Sequence, residues 1–187
     1  MLPNAVVLRP HWQYAVKRDG TRRSRQCCDG SARAAPKLRQ LVSTWSSCCE
    51  LPIQRLFMGI AASKNLLLYG GDARDAFAHS PSSPTPTYLK VDNAYADWYK
   101  HKHGKEIDRS MVLPIKKALQ GHPESGKQWM IHIDKILKDM GFVKAKHDHS
   151  IYKMDHEEGV VYCLRQVDDF LMATRQEKTA DALYDII

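Results

Sequence analysis

Val160–Ala173, V-V-Y-C-L-R-Q-V-D-D-F-L-M-A, is the stretch that most narrows what this chain can fold into. Apolar, β-branched and aromatic residues run up to Val167. Two carboxylates stand side by side at Asp168 and Asp169, and apolar residues resume at Phe170. The pattern predicts strand, tight turn and strand, with an acidic pair at the bend. Adjacent aspartates inside apolar flanks are costly to hold ionised without positive charge on them. A solvated acidic turn would satisfy the same pattern. A second acidic strand end far upstream, Asp72 in L-L-L-Y-G-G-D-A-R-D-A-F, tips the balance toward chemistry.

If those strands are neighbours in one sheet, Asp72, Asp168 and Asp169 converge at its edge, and divalent metal must neutralise them. Carboxylate oxygens, completed by water and substrate phosphate, suit Mg²⁺, with Mn²⁺ as the alternative ion. Two such ions about 3.5–4 Å apart activate an attacking oxygen and steady a leaving one in phosphoryl displacement. The pattern therefore points to phosphodiester chemistry, and spacing alone does not separate polymerase from nuclease. His147, His149, His156 and Cys163 make no zinc set, because their spacing matches no common site.

The 187 residues suit one sizeable domain, or one with a lobe, and 43% hydrophobic with 26% charged is ordinary globular composition. A net charge of +7 favours an anionic partner, nucleic acid first and an anionic membrane surface second. Cys27, Cys28, Cys48, Cys49 and Cys163 fit neither a zinc layout nor a secreted disulfide framework. With no signal peptide and no bilayer-length apolar run, an intracellular setting is expected, in a cytoplasmic particle or the nucleus.

His11–Asp29 alternates apolar residues on either side of Asp19-Gly20, which predicts a β-hairpin. Lys17, Arg18, Arg22, Arg23 and Arg25 around its tip suit either a solvated basic hairpin or a clamp on phosphate oxygens. Gly30–Ser47 reads as loop. From Pro52 to Ala62 the spacing predicts a helix with Ile53, Leu56, Phe57 and Ile60 inward. Leu66–Tyr69 is a short buried strand delivering Asp72, the Pro/Ser/Thr stretch after Phe77 is loop, and Tyr88–Val91 is a return strand. Trp98–Lys105 mixes rings with cations, as nucleic-acid surfaces and solvated helix ends both do. A helix over Glu124–Met140 turns Trp129, Ile133, Ile136, Leu137 and Met140 inward and stops at Gly141. Ser150–Met154 pairs with Val160–Leu164, and a last helix starts near Glu177.

Four ordered motifs carry a family resemblance. V-D-D between apolar strands resembles the Y/F-x-D-D box of reverse transcriptases, and D-A-R-D-A-F at Asp72–Phe77 resembles their D-x-x-D-A-Y/F motif. A-L-Q-G followed by K-Q-W, within Ala118–Trp129, is similar to the A-L-Y-G-L-K-Q-A-P-R-Q-W signature of copia-type LTR-retrotransposon polymerases. K-R-D-G-T-R-R-S-R-Q-C-C-D-G at Lys17–Gly30 parallels their fingers hairpin. The resemblance implies that Asp72 and Asp168 bridge two Mg²⁺ ions, with Asp169 in support and the Ala73 carbonyl as a further ligand. It implies that the Asp75 and Ala76 amides cradle the incoming triphosphate and that Phe77 is the steric gate selecting deoxynucleotides. Lys17 and Arg25 would hold the β- and γ-phosphates, and Gln120 and Gly121 would shape the floor beneath the nucleotide.

The chain departs from the family at Gln166, where Tyr or Phe is usual, and at H-P-E-S-G-K, which replaces L-K-Q-A-P-R. The expected fold is α+β: an antiparallel reverse-transcriptase-like palm sheet with helices on one face and an N-terminal fingers hairpin. Residues 1–64 would form the fingers-like part and 65–187 a partial palm with an insertion over 78–110, in a single domain fragment. The thumb and any ribonuclease H part would lie beyond Ile187, so the isolated chain is expected to be weakly active or inactive. The expected function is RNA-directed DNA synthesis from deoxynucleotides on an RNA or DNA template-primer. A non-catalytic nucleic-acid-binding remnant and a Mg²⁺-dependent nuclease are the alternatives.

Overall fold

The computed structural model describes residues 4–187. In chain order the elements are β1 (Val6–Leu8), β2 (Pro10–Val16), β3 (Arg22–Cys28), α1 (Pro36–Leu41), α2 (Leu51–Ser63), β4 (Leu67–Asp72) and α3 (Ala76–His79). They continue with β5 (Thr87–Lys90), α4 (Asn93–His103), β6 (Val112–Pro114), α5 (Ser125–Asp139) and β7 (Val143–Lys144). The last four are β8 (Ile151–His156), β9 (Gly159–Gln166), β10 (Asp169–Thr174) and α6 (Glu177–Tyr184). Two compact units emerge, one from the described residues up to Trp45 with Phe77–Trp129, the other from Ser46–Ala76 with Met130–Ile187. Each is interleaved in sequence, whereas the sequence pattern placed a boundary at 64/65.

In the first unit β2 and β3 form the expected antiparallel hairpin, with Val16 opposite Arg22 and Gln13 opposite Arg25. Gly20 donates to the Lys17 carbonyl at 2.9 Å with φ +81°, and Lys17 donates to Thr21 at 2.9 Å. That is a four-residue turn ending on a left-handed glycine, a geometry that suits Asp-Gly. A three-stranded sheet runs β1-β5-β6, with β1 parallel to β5. The expected return strand at Tyr88–Val91 is β5, which pairs with Val6–Leu8 and Val112–Pro114. Gly30–Ser47 is not all loop: Pro36 opens α1, and Leu38 is fully buried against Leu8, Cys28 and Leu89. A single buried leucine gives no period, so tertiary packing decides this short helix.

The second unit holds an antiparallel five-stranded sheet, ordered β4-β10-β9-β8-β7. Helix α2 packs Phe57 and Ala61 against Leu164 and Ala173. Burying Phe57 is worth about 1.5–3 kcal/mol. Leu56 turns outward, 55% exposed, instead of joining that stripe. On the opposite face a Cβ at Gly71 would lie 2.4 Å from the Tyr184 ring of α6, whose hydroxyl donates to the Tyr69 carbonyl at 2.7 Å. Helices therefore cover both faces, not one. The reason is in β10, where Phe170 and Met172 on one face and Ala173 on the other are all buried.

Trp129, Ile133 and Leu137 of α5 are buried as the spacing predicts. Gly141, at φ +96°, ends that segment, with Phe142 donating to the Leu137 carbonyl at 2.9 Å. Among the described residues no helix is long and apolar enough to cross a membrane.

Candidate active site

The acidic turn is built by strand pairing. Asp169 stands directly opposite Asp72 on one side and Gln166 on the other, and the Ala73 amide donates to the Asp168 carbonyl at 2.9 Å. Strands β4 and β10 are thus neighbours, as convergence of the acidic strand ends requires. Directly opposed residues share a face, so Asp72, Asp169 and Gln166 lie on the face that carries Leu164 and Leu171. All three aspartates are exposed. Two like charges directly opposite each other destabilise a sheet unless a counter-charge is supplied.

Val167 and Asp168 form the two-residue loop, and Val167 takes φ +58°. Turns of this kind match strand twist but want glycine or asparagine at positive φ. A β-branched residue there costs about 1–3 kcal/mol and signals a position fixed by function or surroundings. Val167→Gly should therefore leave thermal stability unchanged or raise it by up to ~1 kcal/mol, about 2–4 °C in Tm. A clear drop in Tm would show that valine packing, not backbone strain, dominates at this turn.

Gln166 has its own partners. Its Oε1 accepts the Cys49 amide at 2.9 Å, and its Nε2 donates to the Cys48 Sγ at 3.1 Å. The amide thereby ties the turn to the segment preceding α2, a role a phenylalanine ring could not perform. Arg165, one residue earlier and on the other face, is 1% exposed and donates from Nη2 to the Ser47 hydroxyl at 2.7 Å. Sequence reasoning missed it. An arginine in a strand reads as a surface charge, and its burial beside Ser47 and Tyr152 is visible only in the fold.

The donor set fits a hard cation in an open site. It offers oxygen ligands only, with two carboxylates on one face. Among the described residues no three His, Cys, Asp or Glu side chains make a ready cage. Mg²⁺ is ordinarily held by one or two carboxylates plus water and substrate phosphate, so an open pair suits it. Ala73, Asp75 and Ala76 follow Asp72 directly, and Asp75 adopts φ +52°, turning the chain into α3.

The other candidates belong to the first unit. Lys17 lies in the hairpin turn and Arg25 in β3, separated by roughly 13 Å of strand. Phe77 is half-buried in α3. Gln120 and Gly121 meet the base of the hairpin, where the Cys28 amide donates to the Gln120 carbonyl at 2.8 Å. A Cβ on Gly121, which has φ +90°, would lie 2.0 Å from the Cys28 carbonyl oxygen.

Beside that loop His122 is 7% exposed. Its Nδ1 accepts the Glu124 amide at 3.1 Å, and its Nε2 faces the Thr87 hydroxyl at 3.3 Å. Burial lowers its pKa from 6.5, partly opposed by the Glu124 carboxylate. The unfolded chain therefore binds the proton more readily. Stability from this group is complete above about pH 6.5 and drains as pH falls toward the lowered folded value. Melting temperature should drop between neutral and mildly acidic pH, and His122→Asn should flatten that slope. An identical slope in the variant would remove His122 from the account.

All five cysteines are free thiols; Cys48 is exposed and the others are buried. Burial pushes Cys163 and Cys28 up to about 12 and Cys49 up to about 11, so these thiols stay protonated near neutral pH.

No family model matches the chain. It is similar to a retrovirus-related Pol polyprotein from transposon RE1 of Arabidopsis thaliana, 23% identical over 118 residues, covering 63% of this chain and 7% of that protein. A Pol polyprotein from transposon RE2 of the same plant is 22% identical over 133 residues, 69% of this chain and 8% of the relative. A putative transposon Ty5-1 protein of Saccharomyces cerevisiae is 26% identical over 110 residues, 59% of this chain and 33% of the relative. The chain thus spans less than a tenth of the plant polyproteins and a third of the yeast protein. These similarities to proteins of copia-type transposons support a retrotransposon origin.

Proposed function

We propose that this chain carries the catalytic turn of an RNA-directed DNA polymerase of the copia type, adding deoxynucleotides to a primer 3′-hydroxyl on an RNA or DNA template. The observation that carries the reading is the register that sets Asp72 against Asp169 beside the Val167-Asp168 turn. Mg²⁺, when bound, supplies the charge that activates the primer hydroxyl and stabilises departing pyrophosphate. Asp72 and Asp168 hold that charge in place. Asp169, fixed by its ladder to both neighbouring strands, supports them. Gln166 holds the approach to the turn through Cys48 and Cys49. The resemblance assigns triphosphate contacts to Lys17, Arg25 and the amides of Asp75 and Ala76, sugar selection to Phe77, and the nucleotide floor to Gln120 and Gly121.

Primer extension on an RNA template, comparing the chain with Asp168→Asn, tests the proposal. Mg²⁺-dependent extension that the variant loses supports it. Shortening of the template in place of extension replaces it with a nuclease, and extension that survives the substitution removes Asp168 from the chemistry.

A further inference from the structure

We propose that the solvent face of α4 binds single-stranded nucleic acid, a base stacking on Trp98 and backbone phosphates held by Lys102 and Lys105. Ala96 is the buried residue of this helix and Tyr95 and Tyr99 are half-buried, while Trp98 stays 46% exposed. Around Trp98 stand Tyr95, with ring centroids 5.3 Å apart, and His103 edge-on at 6.0 Å. His103 also reaches the Tyr99 ring at 4.5 Å. The aromatic cluster thus reaches the surface at Trp98, whose exposed ring hydrophobic burial does not account for.

The cations are placed to use that platform. The Lys102 Nζ lies over the Trp98 ring, 5.0 Å from its centroid, and Lys105 follows Gly104, which ends the helix at φ +64°. Cations at a helix C-terminus also satisfy the dipole, and Lys100 is engaged by Glu106 at 2.7 Å. That explanation covers the charges and leaves the exposed Trp98 ring unexplained. A nucleobase stacks on indole more strongly than an exposed ammonium does, so it displaces Lys102 from the ring and frees it for phosphate. An acidic peptide would engage the cations and leave the rings idle.

A second observation extends the surface. Asp92 caps α4 through the Tyr95 amide at 2.8 Å and accepts the Trp12 indole N–H of the basic hairpin at 2.7 Å. Trp12 stacks on Tyr14, with centroids 6.4 Å apart, and Tyr14 is 72% exposed beside Arg22 and Arg23. Rings and cations therefore continue from hairpin to helix, a layout suited to a flexible strand with successive bases to stack. The inference does not rest on the polymerase reading, because α4 lies outside the carboxylate turn.

Fluorescence anisotropy of the whole chain with a labelled uridine homopolymer, over a salt series, tests it. Trp98→Ala should weaken binding about tenfold, and Trp98→Phe should retain most of the affinity. Lys102→Ala combined with Lys105→Ala should lower the slope of log affinity against log salt by ~1.4. The proposal is overturned if the unaltered chain shows no salt-sensitive binding. It also falls if both α4 variants, folded by circular dichroism, bind normally, or if polyglutamate binds as tightly as RNA regardless of Trp98.

Discussion

Gly121→Ala will destabilise the chain by about 3 kcal/mol or more, read as a fall in the urea midpoint. Two causes add. The backbone sits at φ +90°, where a side chain is strained, and the new Cβ would arrive 2.0 Å from the Cys28 carbonyl oxygen. That oxygen cannot swing aside, because it belongs to the end of β3, whose amide is already bonded to Gln120. Gly30 meets the same loop from the other side, its would-be Cβ 2.4 Å from the Gly121 carbonyl oxygen. Gly59→Ala is the control. It stands inside α2 with nothing within 4 Å of its would-be Cβ, and alanine there should stabilise by about 0.5–1 kcal/mol. A Gly121→Ala midpoint within about 0.5 kcal/mol of the unaltered chain would refute the close approach.

Asp72→Asn should have opposite consequences with and without magnesium. In metal-free buffer it removes one of two like charges facing each other across β4 and β10, so melting should be unchanged or higher. Mg²⁺ binding only the folded state should raise the melting temperature of the unaltered chain, and the variant should lose most of that gain. Wherever nucleotide addition is measurable, Asp72→Asn and Asp168→Asn should each lower it about a thousandfold. The metal contributes several kcal/mol of charge stabilisation, and each ~1.4 kcal/mol is tenfold in rate. Equal responses to Mg²⁺ in variant and unaltered chain would sink the metal assignment, whatever the fold.

Much of the local structure was legible because it depends on short-range chemistry. The alternation around Asp19-Gly20 names the basic hairpin, the apolar spacing from Trp129 to Leu137 names the long helix, and the apolar flanks of Asp168-Asp169 name the acidic turn. What failed involved distant partners. Leu56 fits the helical period and still points outward, because the strands beneath α2 meet Phe57 and Ala61. Leu38 makes a helix out of an apparent loop because Leu8 and Leu89 offer it a core.

By itself the sequence determined the basic hairpin, the helices around Phe57 and Trp129, the acidic turn, where the charge lies and which carboxylates are candidates, since period, turn chemistry and residue type are local properties. Only the tertiary structure decided that β4 lies beside β10, so that Asp72 faces Asp169. Pairing between strands so far apart in the chain depends on packing of whole faces, and no local pattern encodes it. The same holds for the burial of Arg165 and for the contact that makes Gly121 indispensable. Each is created by a segment arriving from elsewhere in the chain.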